Sequence, residues 1–323
     1  MKRVMTVSSI WVLVVAFLFV PSAFAKDTYP ERPISMVVWS TAGMGDTVTR
    51  TICQSVEKTL GQPVVIDTKP GAAGTIAINY ALKQKPDGYT LCMTVTSNYI
   101  VTPHIRSLGY NVLTDIVDIA TVCKYNFGLC VKADAPWKSY KDVVNYARKN
   151  PGKFKYACAG VGTIQHITME MMAAQEKIKW TQVPFKSGGE SVIACLGGHT
   201  DAVVQGSLDV LPQIKAGKLR MLLSVDGDKW PDVPNVPTMQ EEGYDFAARS
   251  YITYMTRKGV PKPIIKKLEA AFQKATETDV FKQVLSQYNV PPGYMTGEAY
   301  EKYWKARYGK MGEELKKLGL IKK

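Results

Sequence analysis

Two short stretches carry the residue types and spacing that hold an anion. In the first, Ser40, Thr41, Ala42 and Gly43 run into Met44, Gly45 and Asp46; in the second, Ala159, Gly160, Val161, Gly162 and Thr163 run into Ile164, Gln165 and His166. Each follows an apolar run of strand length and opens a helical pattern. A glycine turn in that place leaves the first backbone N–H groups of the helix without intrahelical partners, beside the positive end of the helix dipole. That environment suits a carboxylate or a phosphate. Thr41 and Thr163 add hydroxyl donors. Neither stretch is a nucleotide motif: the first lacks the Gly-Lys-Ser/Thr of a P-loop, and the second lacks the third glycine and distal acid of a dinucleotide fingerprint. A glycine turn before a helix is also commonly no more than a tight turn, so each stretch alone is a weak signal.

Further polar candidates sit where strands end. Ser97 and Asn98 follow one apolar run, and Lys186 and Gly188 follow another. For Lys186 and Asn98 a surface-loop role is the competing reading. Asp46 is suited to fix the first turn as a capping residue, and His166 to hydrogen-bond within the second. Catalysis is disfavoured. No Gly-x-Ser-x-Gly elbow occurs, and His104, His166 and His199 lie in no nucleophile context. No Cys-x-x-Cys occurs and no histidine or cysteine pair has ligand spacing, so neither a metal nor another cofactor is expected.

These turns need elements to hold them. Short apolar runs alternate with amphipathic helical patterns, which predicts an α/β fold. Strands are expected over 34–39, 64–67, 89–95, 128–132, 155–159, 181–184, 201–204, 219–225 and 251–256. Helices are expected over 46–60, 139–149, 163–176, 189–196, 208–216, 263–278, 280–288 and 297–318, with another opening after Gly74.

The first 25 residues read as a secretory leader. Lys2 and Arg3 precede an uncharged apolar run from Met5 to Val20, and Ala23-Phe24-Ala25 supplies a small-x-small cleavage site. Removing 25 residues from 323 leaves 298, enough for two domains, and lowers the formal charge from +13 to +11. No later segment is apolar for long enough to cross a bilayer. Lysines such as Lys262, Lys266 and Lys267 are spread along helical faces, and no nucleic-acid motif accompanies them. The six cysteines form an even set in an oxidising compartment, and Cys123 and Cys130 flank a segment short enough for a disulfide across neighbouring strands.

Nine motifs in one order then carry a resemblance over nearly the whole mature chain. They are Tyr29-Pro-Glu-Arg-Pro33, Gly61-Gln-Pro-Val-Val65, Lys69-Pro-Gly-Ala-Ala-Gly74, Lys85-Pro-Asp-Gly-Tyr-Thr-Leu91 and Gly160-Val-Gly-Thr-Ile-Gln-His166. Val183-Pro-Phe-Lys-Ser-Gly-Gly189, Leu196-Gly-Gly-His-Thr-Asp201, Asp232-Val-Pro-Asn-Val-Pro-Thr238 and Gly259-Val-Pro-Lys-Pro263 complete the set. The chain resembles the tripartite tricarboxylate transporter substrate-receptor family, also called Bug solute-binding proteins.

The resemblance implies a periplasmic, monomeric, two-lobed Venus-flytrap binding protein that is not an enzyme. It would take a small carboxylate, a di- or tricarboxylate or one of some amino or aromatic acids, from a cleft between hinged lobes to membrane permease subunits. A signalling receptor is the alternative recipient. One lobe would comprise 26–124 and 250–323, the other 125–249. The implied ligand-binding set joins the two glycine turns to Trp39, Ser97, Asn98, His166, Lys186, Gly188 and Gln205. The first turn departs from the family pattern: Trp39 replaces a phenylalanine, and Met44 interrupts the glycines.

Overall fold

The computed structural model describes residues 29–40 and 43–321. The expected leader, Thr41 and Ala42 lie outside the described residues. Among the described residues, eleven strands form two sheets. The first, ordered β11-β4-β10-β3-β1-β2, contains β1 (Ile34–Val38), β2 (Val64–Thr68), β3 (Thr90–Val95), β4 (Ile116–Tyr125), β10 (Ser250–Arg257) and β11 (Pro292–Thr296). The second, ordered β7-β6-β8-β5-β9, contains β5 (Gly128–Lys132), β6 (Lys155–Cys158), β7 (Thr181–Pro184), β8 (Ala202–Gln205) and β9 (Leu219–Ser224). The chain thus leaves the first sheet at the end of β4, builds the second without interruption, and returns at β10.

Within each sheet a parallel core is set by crossover helices. β1 pairs in parallel with β2 and β3, and β6 with β7 and β8. The helices α1 (Met44–Leu60), α6 (Ile164–Glu176), α7 (Gly188–Leu196) and α8 (Ser207–Lys215) each start within a few residues of a strand's carboxyl end. Helix ends follow local chemistry. Gly61, at φ 70°, takes the left-handed conformation that closes α1, while Ser139 and Asp142 form a capping box on α5 (Tyr140–Lys149).

The sequence predicts no strand between 96 and 127, yet β4 is a ten-residue strand there, flanked by β10 and β11. Its polar Asp118 and Thr121 interrupt the apolar pattern because both are buried with dedicated partners. Ser97 and Asn98, expected on a loop, lie in the short buried helix α3 (Thr96–Ile100).

The core of the first lobe gathers Met36, Ile52, Leu91, Ile252 and Phe272. A second cluster runs from Tyr99, Tyr300 and Trp304 to Phe127, Leu129 and Tyr156. Its buried residues include members of second-sheet strands and of the C-terminal helix α11 (Gly297–Lys317), and Ile116, Tyr125, Tyr251 and Met295 of the first sheet pack against it. All six cysteines are buried and free. The disulfide that the sequence left open between Cys123 and Cys130 is not formed: β4 does not turn back into a hairpin but passes into the other sheet.

Candidate functional site

The carboxyl ends of parallel strands in both sheets face one cleft, the place where open α/β sheets bind ligands. Trp39 and Ser40 follow β1, Val95 ends β3, Ala159 follows β6, Lys186 follows β7 and Gln205 ends β8, and all of them line it. Tyr125 and Phe127, on the segment that crosses between sheets, also line it, their rings stacked with centroids 4.9 Å apart. The empty volume is about 630 Å³, part of it open to solvent.

Eight of the expected residues come together here: Trp39, Ser40, Gly43, Ser97, Thr163, Lys186, Gly188 and Gln205. They place the first turns of α1, α6, α7 and α8 around one space, so several positive helix ends converge. Gly43, at φ 92°, precedes α1 in a conformation that an L side chain resists. Two donors are left over. Trp39 Nε1 from the first lobe and Gln205 Nε2 from the second are buried and have no hydrogen-bond partner among the described residues. A buried donor without an acceptor is costly, and a ligand oxygen is the ordinary way such a cost is removed.

Five expected residues do not line the cleft. Asn98 is committed to the fold: its Oδ1 accepts from Val95 N at 3.0 Å and its Nδ2 donates to Ala73 O at 2.7 Å. Asp46 pairs with Arg50 Nε at 2.9 Å across one turn of α1. His166 Nδ1 accepts from Gly162 N at 3.2 Å, and burial pushes the imidazole down to about 4, so it stays neutral and holds the turn. Gly160 and Gly162, both at positive φ, shape that turn from outside the cleft lining. Thr163 reaches the cleft, but its hydroxyl donates to Gly160 O at 3.2 Å. Its proton is therefore used within the turn.

Sequence reasoning missed Asp209, in the first turn of α8, whose side chain lines the cleft. Burial raises its carboxyl to about 6. The available signal was its place four residues after the end of a strand, the same logic that selected Lys186. Among the described residues no group of three or more histidine, cysteine or carboxylate side chains is placed to hold a metal ion. No helix among them is long and apolar enough to cross a membrane.

The sequence profile described as "Tripartite tricarboxylate transporter family receptor" matches residues 48–320. A protein of the gbd 5' region of Cupriavidus necator is 33% identical over 94% of this chain and 92% of its own. Protein BugT of Bordetella pertussis is 28% identical over 90% of each. The solved structure of the periplasmic binding protein BugD superposes with a TM-score of 0.84 at 28% identity, covering 91% of this chain and 100% of that one. Two α/β lobes, a cleft at the strand ends and a profile match over most of the sequence agree: the chain belongs to the tripartite tricarboxylate transporter receptor family, the TctC or Bug solute-binding proteins.

Proposed function

We propose that this protein is a periplasmic receptor that captures a small carboxylate between its lobes and presents it to the permease subunits of a tripartite transporter, without altering it. One observation carries the reading. Trp39, after a strand of the first sheet, and Gln205, at the end of a strand of the second, both line the cleft, and each carries a buried side-chain N–H with no partner among the described residues. A carboxylate bridging them would satisfy both and tie one lobe to the other. Helix N-termini around the cleft supply the remaining positive potential, so no cation is needed for charge balance. The lobes would divide as 26–124 with 250–323, and 125–249, hinged where β4 leaves the first sheet and β10 returns. With a neutral, turn-bound His166 and no activated nucleophile in the cleft, the chemistry on offer is holding and release.

The test is a thermal-shift screen of organic acids, amines and neutral sugars on the purified mature protein. A ligand that binds the folded state raises the melting temperature by mass action. At least one carboxylate should do so, unaffected by EDTA, and be recovered unchanged after long incubation. Stabilisation by amines or sugars alone would overturn the reading.

A further inference from the structure

Another hollow adjoins the cleft and shares none of its polar groups. It is a groove between α11 and the segment 240–249, with α3 and α6 as its other walls. It encloses about 1080 Å³ of empty space, part of it open to solvent. Among the described residues only Ile164 lines both hollows. The charge in the groove is lopsided. Arg249, Arg307 and Lys310 line it against Asp245 and Glu314, and Lys317 already takes Glu314 at 3.0 Å. None of the three lining cations forms an ion pair with a described residue. Arg307 is pinned rather than free: its guanidinium lies 3.8 Å from the Tyr303 ring centre, and Nη1 donates to Tyr303 O at 3.0 Å. The Tyr303 ring is fixed in turn by Tyr251 and Tyr300, with centroids 5.2 and 6.1 Å away. Its hydroxyl is buried and has no hydrogen-bond partner among the described residues. Burial raises this phenol, whereas Arg307 and Arg249 both pull it down, so both guanidinium charges reach the same hydroxyl.

Cations on an open helix face need no partner, but these three converge on one hollow beside apolar surface. Met171, Phe246 and Met311 pack on the core beneath, stay half-buried and line the groove. Apolar side chains left facing a hollow in this way mark a place where an apolar group can leave water. Guanidinium forks meet the oxygens of an oxyanion two at a time, in charge-assisted hydrogen bonds. The complement of the groove is therefore amphipathic, with an oxyanion head such as a sulfate, phosphate or carboxylate on an apolar body. Its walls also join the lobes. α3 follows a strand of the first sheet and α6 a strand of the second, so an occupant would touch both at once.

We infer that this groove is a binding site apart from the cleft, for a free amphiphilic oxyanion with its head on Arg249, Arg307 and Lys310 and its body along Met171, Phe246 and Met311. The inference stands whatever the cleft holds. Titration calorimetry on the mature protein tests it with octyl sulfate and octanoate, each below its micelle-forming concentration. Inorganic sulfate and octanol serve as the separate halves. At least one amphiphile should bind roughly tenfold or more tightly than either half. Replacing Arg249 and Arg307 together with alanine should weaken that amphiphile by about tenfold or more, while Trp39→Phe leaves it unchanged. Full affinity in the double variant overturns the site, as does the absence of binding by both amphiphiles. A loss in Trp39→Phe would put the amphiphile in the cleft, and sulfate binding as tightly as octyl sulfate would reduce the groove to surface charge; either result overturns it. Binding of phosphatidylglycerol vesicles without binding of a free amphiphile would make this face a membrane contact and overturn it too. Should the double variant fail to fold, Lys310→Ala on the exposed face of α11 replaces it, with a loss of roughly threefold or more expected.

Discussion

The indole N–H of Trp39 is a donor that folding has left unused. Replacing Trp39 with phenylalanine therefore breaks no hydrogen bond in the empty protein, and its cost to apo stability is confined to the indole's packing against two buried clusters. Binding is different. If that N–H meets a ligand carboxylate, its loss removes a charge-assisted hydrogen bond of about 1.5–3 kcal/mol, roughly a ten- to hundredfold weakening. Equal affinities for the wild type and Trp39→Phe, measured by calorimetry with any carboxylate that stabilises the protein, would sink the assignment. Residues at this scale were only partly legible in the sequence. Glycine turns identify themselves by composition, so Gly43 and the turn before Thr163 were found. What a hydroxyl or amide does with its protons was not. Thr163 and Asn98 have the right chemistry for a ligand contact, but Gly160 O and Ala73 O already accept their protons. Asp209 was not among the expected residues, and its place beside Gly43 and Gly188 shows only in the folded chain.

At the scale of elements, the C-terminal helix is fastened to β4 by one buried carboxyl. Tyr99 donates to Asp118 Oδ1 at 2.6 Å and Trp304 Nε1 donates to Oδ2 at 2.9 Å. Burial raises this carboxyl to about 7, against the opposing pull of those two hydrogen bonds, with Glu301 raising it further and Lys305 lowering it. The folded value lies above the unfolded one, so the neutral form is the one the fold favours. That contribution is complete below about pH 4 and is lost as the pH rises through 7. Urea unfolding of the wild type and Asp118→Asn should then show the wild type losing ground to the variant between pH 5 and pH 8, by about 2–3 kcal/mol. His166 and Asp226 also titrate with the fold, but they are common to both proteins and cancel in the difference. Parallel curves would remove Asp118 from the account. The same residue explains an illegible element. Periodicity located β5, β7 and most helices closely, since each has one buried face or a compact apolar run. β4 carries Asp118 and Thr121 in its buried interior, which defeats the pattern for a strand.

At the scale of the molecule, the two sheets meet through a segment that also lines the cleft. Tyr125, Asn126 and Phe127 cross between them, and Asn126 bonds both ways, donating to Asn289 O at 2.7 Å and accepting from Ser207 Oγ at 2.8 Å. Closure about such a crossing would move the turn after β1 toward the start of α7. Small-angle scattering with and without a saturating carboxylate, chosen from the thermal screen, should give a smaller radius of gyration for the bound form. Identical profiles would mean a cleft that does not open. The two-lobed organisation entered the sequence reading only as what the family resemblance implies, a resemblance carried by the order of the motifs. The continuous core beneath α11 was not legible, because it joins residues such as Tyr99, Tyr156 and Trp304 that only the folded chain brings together.

The six thiols, buried and unbridged, carry a last consequence. Burial pushes Cys158 up to about 11 and Cys53 and Cys195 to about 12, so almost none of each is thiolate at neutral pH. Thiolate is the species that oxidants and disulfide-exchange catalysts attack. In an oxidising compartment this chain is therefore shielded by its own packing, for as long as the packing lasts. If the chain is exported as proposed, its vulnerable moment is the interval before folding, when six cysteines admit fifteen complete pairings and the native fold uses none of them. Speed of collapse, rather than any covalent staple, decides whether a newly exported chain is rescued from that scramble.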